Sequence, residues 1–344
     1  MSTIDFSALE HRLTLYRNAT LERLLAELPD SKVDYLWKLV PTYPQRSGKG
    51  LRPALCIATC RALGASMGEA LNTAVAIELL HNAFLVHDDA QDSSRLRRGQ
   101  PSLYAEYGTA VAINVGNALS LLALDRFLDN QQLLGPQKTL NIFRDAQTMM
   151  HHTLEGQALE VAWIRDNIFD LESQDYYRLC LKKTAWYTTI FPCRAGALIA
   201  TGDRQVAQRL DRYGWYLGLA FQIQDDLLNL TGKFEDYGKE IADDLLEGKR
   251  TLVLIHLLRA LEGGARKRLE QFLRSPRQAR TPEDAGWVLD QMAVQGSLEF
   301  ARRTARHLAG AALAEVIAAM RGVSDSVDKG FLFELPLFVV ERNR

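Results

Sequence analysis

Two long apolar segments that end in paired aspartates limit what this chain can fold into. Residues 70–92 and 205–231 are apolar on most helical faces, yet they close on Asp88-Asp89 with Asp92 and on Asp225-Asp226. A helix apolar all round belongs in the middle of a bundle, where neighbours cover every face. Carboxylates at the end of such a helix are costly to bury unless something cationic meets them. Two central helices of this kind can aim both acid groups into one cavity.

The rest of the chain repeats the helical pattern. Segments 8–28, 51–63, 103–128, 137–162, 173–200 and 249–262 carry apolar residues at three- and four-residue spacing. Breakers separate them: Pro41 and Pro44, Gly64 and Gly68, Gly99 to Pro101, Gly135-Pro136, Gly202, then Gly232 to Gly238. Thr281-Pro282-Glu283-Asp284 is a helix start, with a capping hydroxyl, proline at the first helical position and acids in the first turn. Residues 263–280 read as a solvated helix and connector. No run of β-branched and aromatic residues alternates as a strand does. An all-α fold is expected, one large bundle around a central cavity, spanning residues 1–344 as one domain.

Charge narrows the partners. Lys and Arg total 41 against 42 Asp and Glu, so nothing general favours nucleic acid, and anion binding must come from local segregation of charge. The opening residues lack a basic start followed by an apolar run, and no uninterrupted stretch approaches the ~18 apolar residues of a membrane span. No transmembrane segment and a cytoplasmic location are expected. Four cysteines, Cys56, Cys60, Cys180 and Cys193, are too few for a disulfide scaffold and read as buried thiols.

In HDDAQDSSRLRRGQ the spacing of Asp88, Asp89 and Asp92 places all three carboxylates toward one side of a helix end. Crowded carboxylates repel one another, and a hard divalent cation such as Mg²⁺ relieves this with oxygen ligands at ~2.0–2.1 Å. Arg97 and Arg98 follow in a loop closed by Gly99 and Pro101, where guanidinium groups can clamp phosphate oxygens. FQIQDDLLNLTG repeats the arrangement with Asp225, Asp226 and Asn229, an amide in the third place. Downstream, Lys239, Asp244 and Lys249 alternate charge in a way that suits metal-bound phosphate. Upstream, SGKGLRP offers Lys49 and Arg52 beside glycines, too short for a P-loop but suited to a metal-free anion site.

Taken in order, GKGLRP, ELLHNAFLVHDDAQDSSRLRRGQPS, GQALE, KKTAWY, FQIQDD and YGKEIADDLLEGKRT resemble the trans-isoprenyl diphosphate synthases, the polyprenyl synthetase family, and most of all its geranylgeranyl diphosphate synthases. The resemblance implies the isoprenoid synthase type I fold and a homodimer. It implies that Asp88, Asp89, Asp92, Asp225, Asp226 and Asn229 hold Mg²⁺, three ions per site, with Mn²⁺ as an alternative. Arg97, Lys183 and Lys239 would hold an allylic diphosphate. Lys49, Arg52, His81 and Arg98 would hold isopentenyl diphosphate without metal, Thr184 and Gln222 would flank the reacting carbon, and Phe221 and Lys249 would also bind substrate. Two departures stand out: Gly50 replaces a second arginine of the GKRxRP pattern, and Asn229 replaces the commoner aspartate.

Helix geometry suggests how product length is set. At ~1.5 Å per residue, Phe84 and Ala83 lie about one turn below Asp88, with Leu80 and Ile77 deeper. In the family a bulky residue at the position of Ala83 stops growth at fifteen carbons. Ala83 lets the tail pass and Phe84 opposes a very long one, which predicts a twenty-carbon product. A farnesyl or longer-chain synthase is the near alternative. A terpene cyclase needs no second diphosphate site, and a silent partner subunit would lack one aspartate motif.

Overall fold

The computed structural model describes residues 5–30, 33–46, 48–231 and 242–341; Lys239 and the last residues of the closing FVVERNR lie outside them. The helices run α1 Ser7–Ala26, α2 Thr42–Gln45, α3 Leu51–Ala62, α4 Met67–Asp92, α5 Leu103–Arg165 and α6 Ser173–Cys180. A π-helix, Leu181–Ile190, continues α6 without a break and leads into α7 Phe191–Thr201, then α8 Arg204–Gln208 and α9 Asp211–Thr231. Beyond residue 241 come α10 Asp243–Glu247, α11 Leu252–Ala260, α12 Gly263–Arg274, α13 Pro282–Val294, α14 Ser297–Ala319 and α15 Val327–Glu341.

α4 is the axis. Ser66 caps it by accepting from the Glu69 amide, and the Glu69 carboxylate accepts in turn from the Ser66 amide. Ala74, Ile77, Leu80, Ala83 and Val86 are all buried, because α5 lies along one side of α4 and α3 along another. Each fully buried leucine or isoleucine contributes about 1.5–3 kcal/mol. α9 is sandwiched between α14 and the π-helix, and its buried residues run from Tyr213 to Leu230. Both aspartate-tipped helices therefore occupy the interior that their composition demands.

Several boundaries differ from the sequence reading. Residues 103–165 stay helical apart from non-helical, positive-φ glycines at Gly108 (φ 80°, ψ 171°) and Gly135 (φ 77°, ψ 167°), so the expected break at Gly135 is joined by one at Gly108. Segment 205–231 divides at residues 209–210 into α8 and α9. A two-residue antiparallel ribbon pairs Leu96–Arg97 with Gln100–Pro101, too short for alternation to reveal. Its turn has positive φ at both Arg98 (54°) and Gly99 (73°), which suits the twist of a tight hairpin. The Thr281 cap forms as expected, its hydroxyl accepting from the Asp284 amide. All four cysteines are buried free thiols.

Among the described residues, α5 is long and apolar enough, by length and composition, to cross a membrane. This was not expected from uninterrupted apolar runs. Its packing along α4 and the interruptions at Gly108 and Gly135 fit a bundle helix that keeps an apolar outer stripe, including Ile113, Leu121, Leu128 and Leu154.

Candidate active site

The ends of α4 and α9 meet across one cavity of about 290 Å³. Asp88 lines it from α4; Phe221, Gln222, Asp225 and Asp226 line it from α9; Lys183, Thr184 and Tyr187 come from the π-helix, and Asp244 from α10. The register of the π-helix depends on Gly156 of the GQALE motif. Any side chain there would collide with the backbone nitrogen of Lys183, so glycine lets α5 close on the π-helix. One turn on, Glu160 pairs with Lys183, which also stands 3.6 Å from Asp88 Oδ1. Burial works against the Lys183 ammonium, and Glu160 and Asp88 more than offset it, so its pKa is raised.

The three acids of α4 do not share one direction. Asp88 faces the cavity. Asp89, about 100° further round the helix, is wholly buried, accepts from the Tyr43 hydroxyl at 2.5 Å and is forked by Arg97, whose Nε lies 3.0 Å from Oδ1. Asp92 meets Lys249, with Nζ 3.0 Å from Oδ2 but off the line of a hydrogen bond. Lys249 is shared with Glu247 (2.6 Å) and Asp244 (3.5 Å). Burial pushes the Asp92 carboxyl up to about 7, with Lys249 opposing and Asp88 adding to the rise.

On α9, Asp226 accepts from the Tyr176 hydroxyl at 2.6 Å and from Gln222 Nε2 at 2.7 Å, while Gln222 Oε1 accepts from Thr184 at 2.8 Å. Burial and then the Asp244 charge raise the Asp226 pKa well above the carboxylate range. Asn229 is placed differently from the sequence expectation. Its Oδ1 accepts the Asp244 amide at 3.2 Å and the side chain is buried outside the cavity lining, because Ala242 and Asp244 both donate to Asn229. Asp244 takes the third acidic place on this side.

A second cavity, about 640 Å³, adjoins the first and shares Arg52, His81, Arg98, Phe221 and Asp225 with it. Lys49 lines it, as do Arg17 and Glu78. Arg52 donates to the Tyr187 and Thr188 hydroxyls, both at 2.9 Å, and its Nη1 lies 3.3 Å from His81 Nε2. Arg98 donates to the Arg46 carbonyl at 2.9 Å. Among the described residues no carboxylate forms a salt bridge with either guanidinium, although Glu78 on the same cavity wall attracts the Arg98 charge. Burial and then the Arg52 charge lower the His81 pKa, which keeps the ring neutral. With Nε2 facing a guanidinium donor, the ring proton is assigned to Nδ1, which has no hydrogen-bond partner among the described residues.

Below the cavities, Phe84 meets Tyr187 edge to face with ring centres 5.5 Å apart. Ala83 and Leu80 are buried in the core and line neither cavity. Trp186 turns away and stacks on His152 at 4.7 Å.

The donor set fits a hard divalent cation. Asp88, Asp225, Asp226 and Asp244 present oxygen ligands to one hollow, and burial drives the Asp92 and Asp226 carboxyls toward the neutral form, so a bound cation would take the place of a proton there. Among the described residues no three of these groups are already gathered at metal-binding distance. Lys183, Lys249 and Arg97 occupy the α4 acids instead.

A family model for polyprenyl synthetases matches residues 33–292. The chain belongs to the polyprenyl synthetase family. It is an all-α trans-isoprenyl diphosphate synthase, a prenyltransferase. It is 30% identical over 336 residues to the octaprenyl diphosphate synthase of Escherichia coli, covering 97% of this chain and 98% of that one. The geranylgeranyl pyrophosphate synthetase of Pyrococcus horikoshii shares its fold at a TM-score of 0.86, with 26% identity over 98% of this chain and 99% of that chain. The polyprenyl synthase of Caulobacter crescentus, crystallised with calcium and isoprenyl diphosphate, superposes at a TM-score of 0.87, with 27% identity over the full length of both chains.

Motif reading of this synthase missed Tyr43 and Tyr176, which act through contacts that join elements distant in sequence, and no local spacing announces them. Tyr187 closes the motif KKTAWY, but its bond to Arg52 was not foreseen. Glu160 stood inside a quoted motif, and its charge beside a close-approach glycine was the available signal.

Proposed function

We propose that this synthase joins isopentenyl diphosphate head to tail with an allylic diphosphate and delivers a twenty-carbon product. The observation that carries this is the pair of adjoining cavities, one rich in acids and the other lined by guanidinium groups that form no salt bridge among the described residues. A cyclase acting on one diphosphate has no use for the second. Asp88, Asp92, Asp225, Asp226 and Asp244 would hold Mg²⁺ or Mn²⁺, three ions in all. When bound, these ions supply Lewis-acid neutralisation of the leaving diphosphate.

Lys183, Lys249 and Arg97 orient the allylic diphosphate over Asp88. Lys49, Arg52 and Arg98, with the Nδ1–H of His81, hold the diphosphate of the second substrate. The allylic carbon–oxygen bond breaks, and the double bond of isopentenyl diphosphate supplies the electron pair for the new carbon–carbon bond. A proton then leaves for the departing diphosphate. Neutral His81 is engaged by Arg52 and is no base for that proton. Thr184 and Gln222, already bonded to each other, brace the carbon while Phe221 and Tyr187 exclude water that would quench the cation.

Product length rests on the Phe84–Tyr187 contact as a floor. The octaprenyl and geranylgeranyl relatives share the fold, so length must come from such local closure. The outer stripe of α5 supports a homodimer, since it offers a second copy a continuous apolar face. The test supplies labelled isopentenyl diphosphate with each allylic primer, with and without Mg²⁺. Metal-dependent elongation to twenty carbons is expected, and cyclised hydrocarbon or no incorporation would reject the reading. Tyr187→Ala should lengthen the main product by at least one isoprene unit, and an unchanged length would reject the floor.

A further inference from the structure

The second cavity has a cation that no motif assigns. Gly50 stands where the family pattern has an arginine, and its backbone is left-handed, φ 64°. A Cβ on residue 50 would lie 2.7 Å from the Arg17 Cβ and 2.8 Å from its Cγ. The stem of Arg17, from α1, thus fills the space that a side chain at position 50 would need. Arginine at 50 and arginine at 17 exclude each other sterically, and a left-handed φ adds strain to any L side chain there.

Arg17 lines the same cavity as Lys49, Arg52 and Arg98. Its Nη1 donates to the Gly48 carbonyl at 3.3 Å, and its Nε and Nη2 lie 3.2 and 3.1 Å from Asn18 Oδ1. None of these partners is charged, and among the described residues no carboxylate forms a salt bridge with Arg17. The guanidinium is half-buried at the rim, with its charge unspent.

Building on the two-substrate reading above, we propose that Arg17 replaces the missing motif arginine and grips the diphosphate of isopentenyl diphosphate from α1. The test uses the full-length enzyme with Mg²⁺ and separate titrations of the two substrates. Arg17→Ala should raise KM for isopentenyl diphosphate about tenfold, the scale of one charge-assisted contact, with kcat and the allylic KM near wild type. Arg17→Lys should recover part of the loss, since it keeps the charge without the fork.

Arg17→Gln separates charge from tethering. It keeps a side-chain amide able to reach the Gly48 carbonyl without the positive charge, and should leave KM near the Arg17→Ala value. Binding of inorganic pyrophosphate in EDTA should weaken in Arg17→Ala. An isopentenyl diphosphate KM for Arg17→Ala within twofold of wild type, an equal rise in both KM values, or a wild-type KM in Arg17→Gln would overturn the proposal. A wild-type enzyme that does not condense the two substrates would instead overturn the functional reading beneath it.

Discussion

The two aspartate clusters face one hollow but are neutralised differently. On α4 every acid meets a built-in cation: Asp88 has Lys183 and Arg97, Asp89 has Arg97, and Asp92 has Lys249. On α9, Asp226 is held by a phenol and an amide, and no cation pairs with it among the described residues. Neutral donors orient a carboxylate without cancelling its charge, so burial drives Asp226 toward its protonated form. The first cluster carries cations of its own, whereas Asp226 has none among the described residues. An ion entering the first cluster must displace one of those cations; at Asp226 it displaces a proton.

The largest test of this contrast removes one acid from each side. Asp88→Asn and Asp225→Asn should each lower kcat by roughly a thousandfold, the scale of several kcal/mol of lost charge stabilisation. They should differ in metal demand, with the Mg²⁺ concentration for half-maximal rate rising more for Asp225→Asn. Equal shifts would erase the distinction.

Lys249→Ala comes next. It strips the shared cation from Asp92, Asp244 and Glu247 and should destabilise the metal-free protein by about 3–5 kcal/mol, as when one partner of a buried pair is removed. Adding Mg²⁺ should restore part of the melting temperature. No recovery would mean that the metal does not take the place of the lysine.

The pH dependence of stability is a smaller effect. The Asp92 carboxyl rises from 3.8 to about 7 on folding. Between these values the folded state holds a proton that the unfolded chain has released, so this group's contribution falls as pH rises and is lost above about 7. In EDTA, Asp92→Asn should therefore lose less stability than wild type between about pH 5 and about pH 8 in calorimetric scans. An identical slope would show that Asp92 is ionised throughout.

Tyr176→Phe is the finest probe. A loss near 1 kcal/mol in denaturant titration fits a neutral Asp226, whereas about 1.5–3 kcal/mol would mean an ionised one and would make the two clusters alike.

Much of this arrangement was legible in the sequence, for a physical reason. Apolar helices ending in acids have few places to go, so the positions of α4 and α9 and their shared cavity followed from composition and spacing. What escaped was set by contacts across the chain or by backbone register. A π-helix at Leu181–Ile190 leaves no mark on a 3.6-residue periodicity. Asp89 turned from the cavity because Tyr43 and Arg97 wait on its other side, and Asn229 because the returning amide of Asp244 reached it first. Lys239, expected at the site, lies outside the described residues.

The wall of Arg52, His81 and Arg98 has a consequence for repeated rounds. In the proposed head-to-tail growth the lengthened molecule would keep the diphosphate of its newest unit, so each finished product would start on the guanidinium side and cross to the acid side before growing again. Side chains common to both chambers would make that transfer a hand-over between neighbouring grips rather than a departure into water, and would favour several additions per visit.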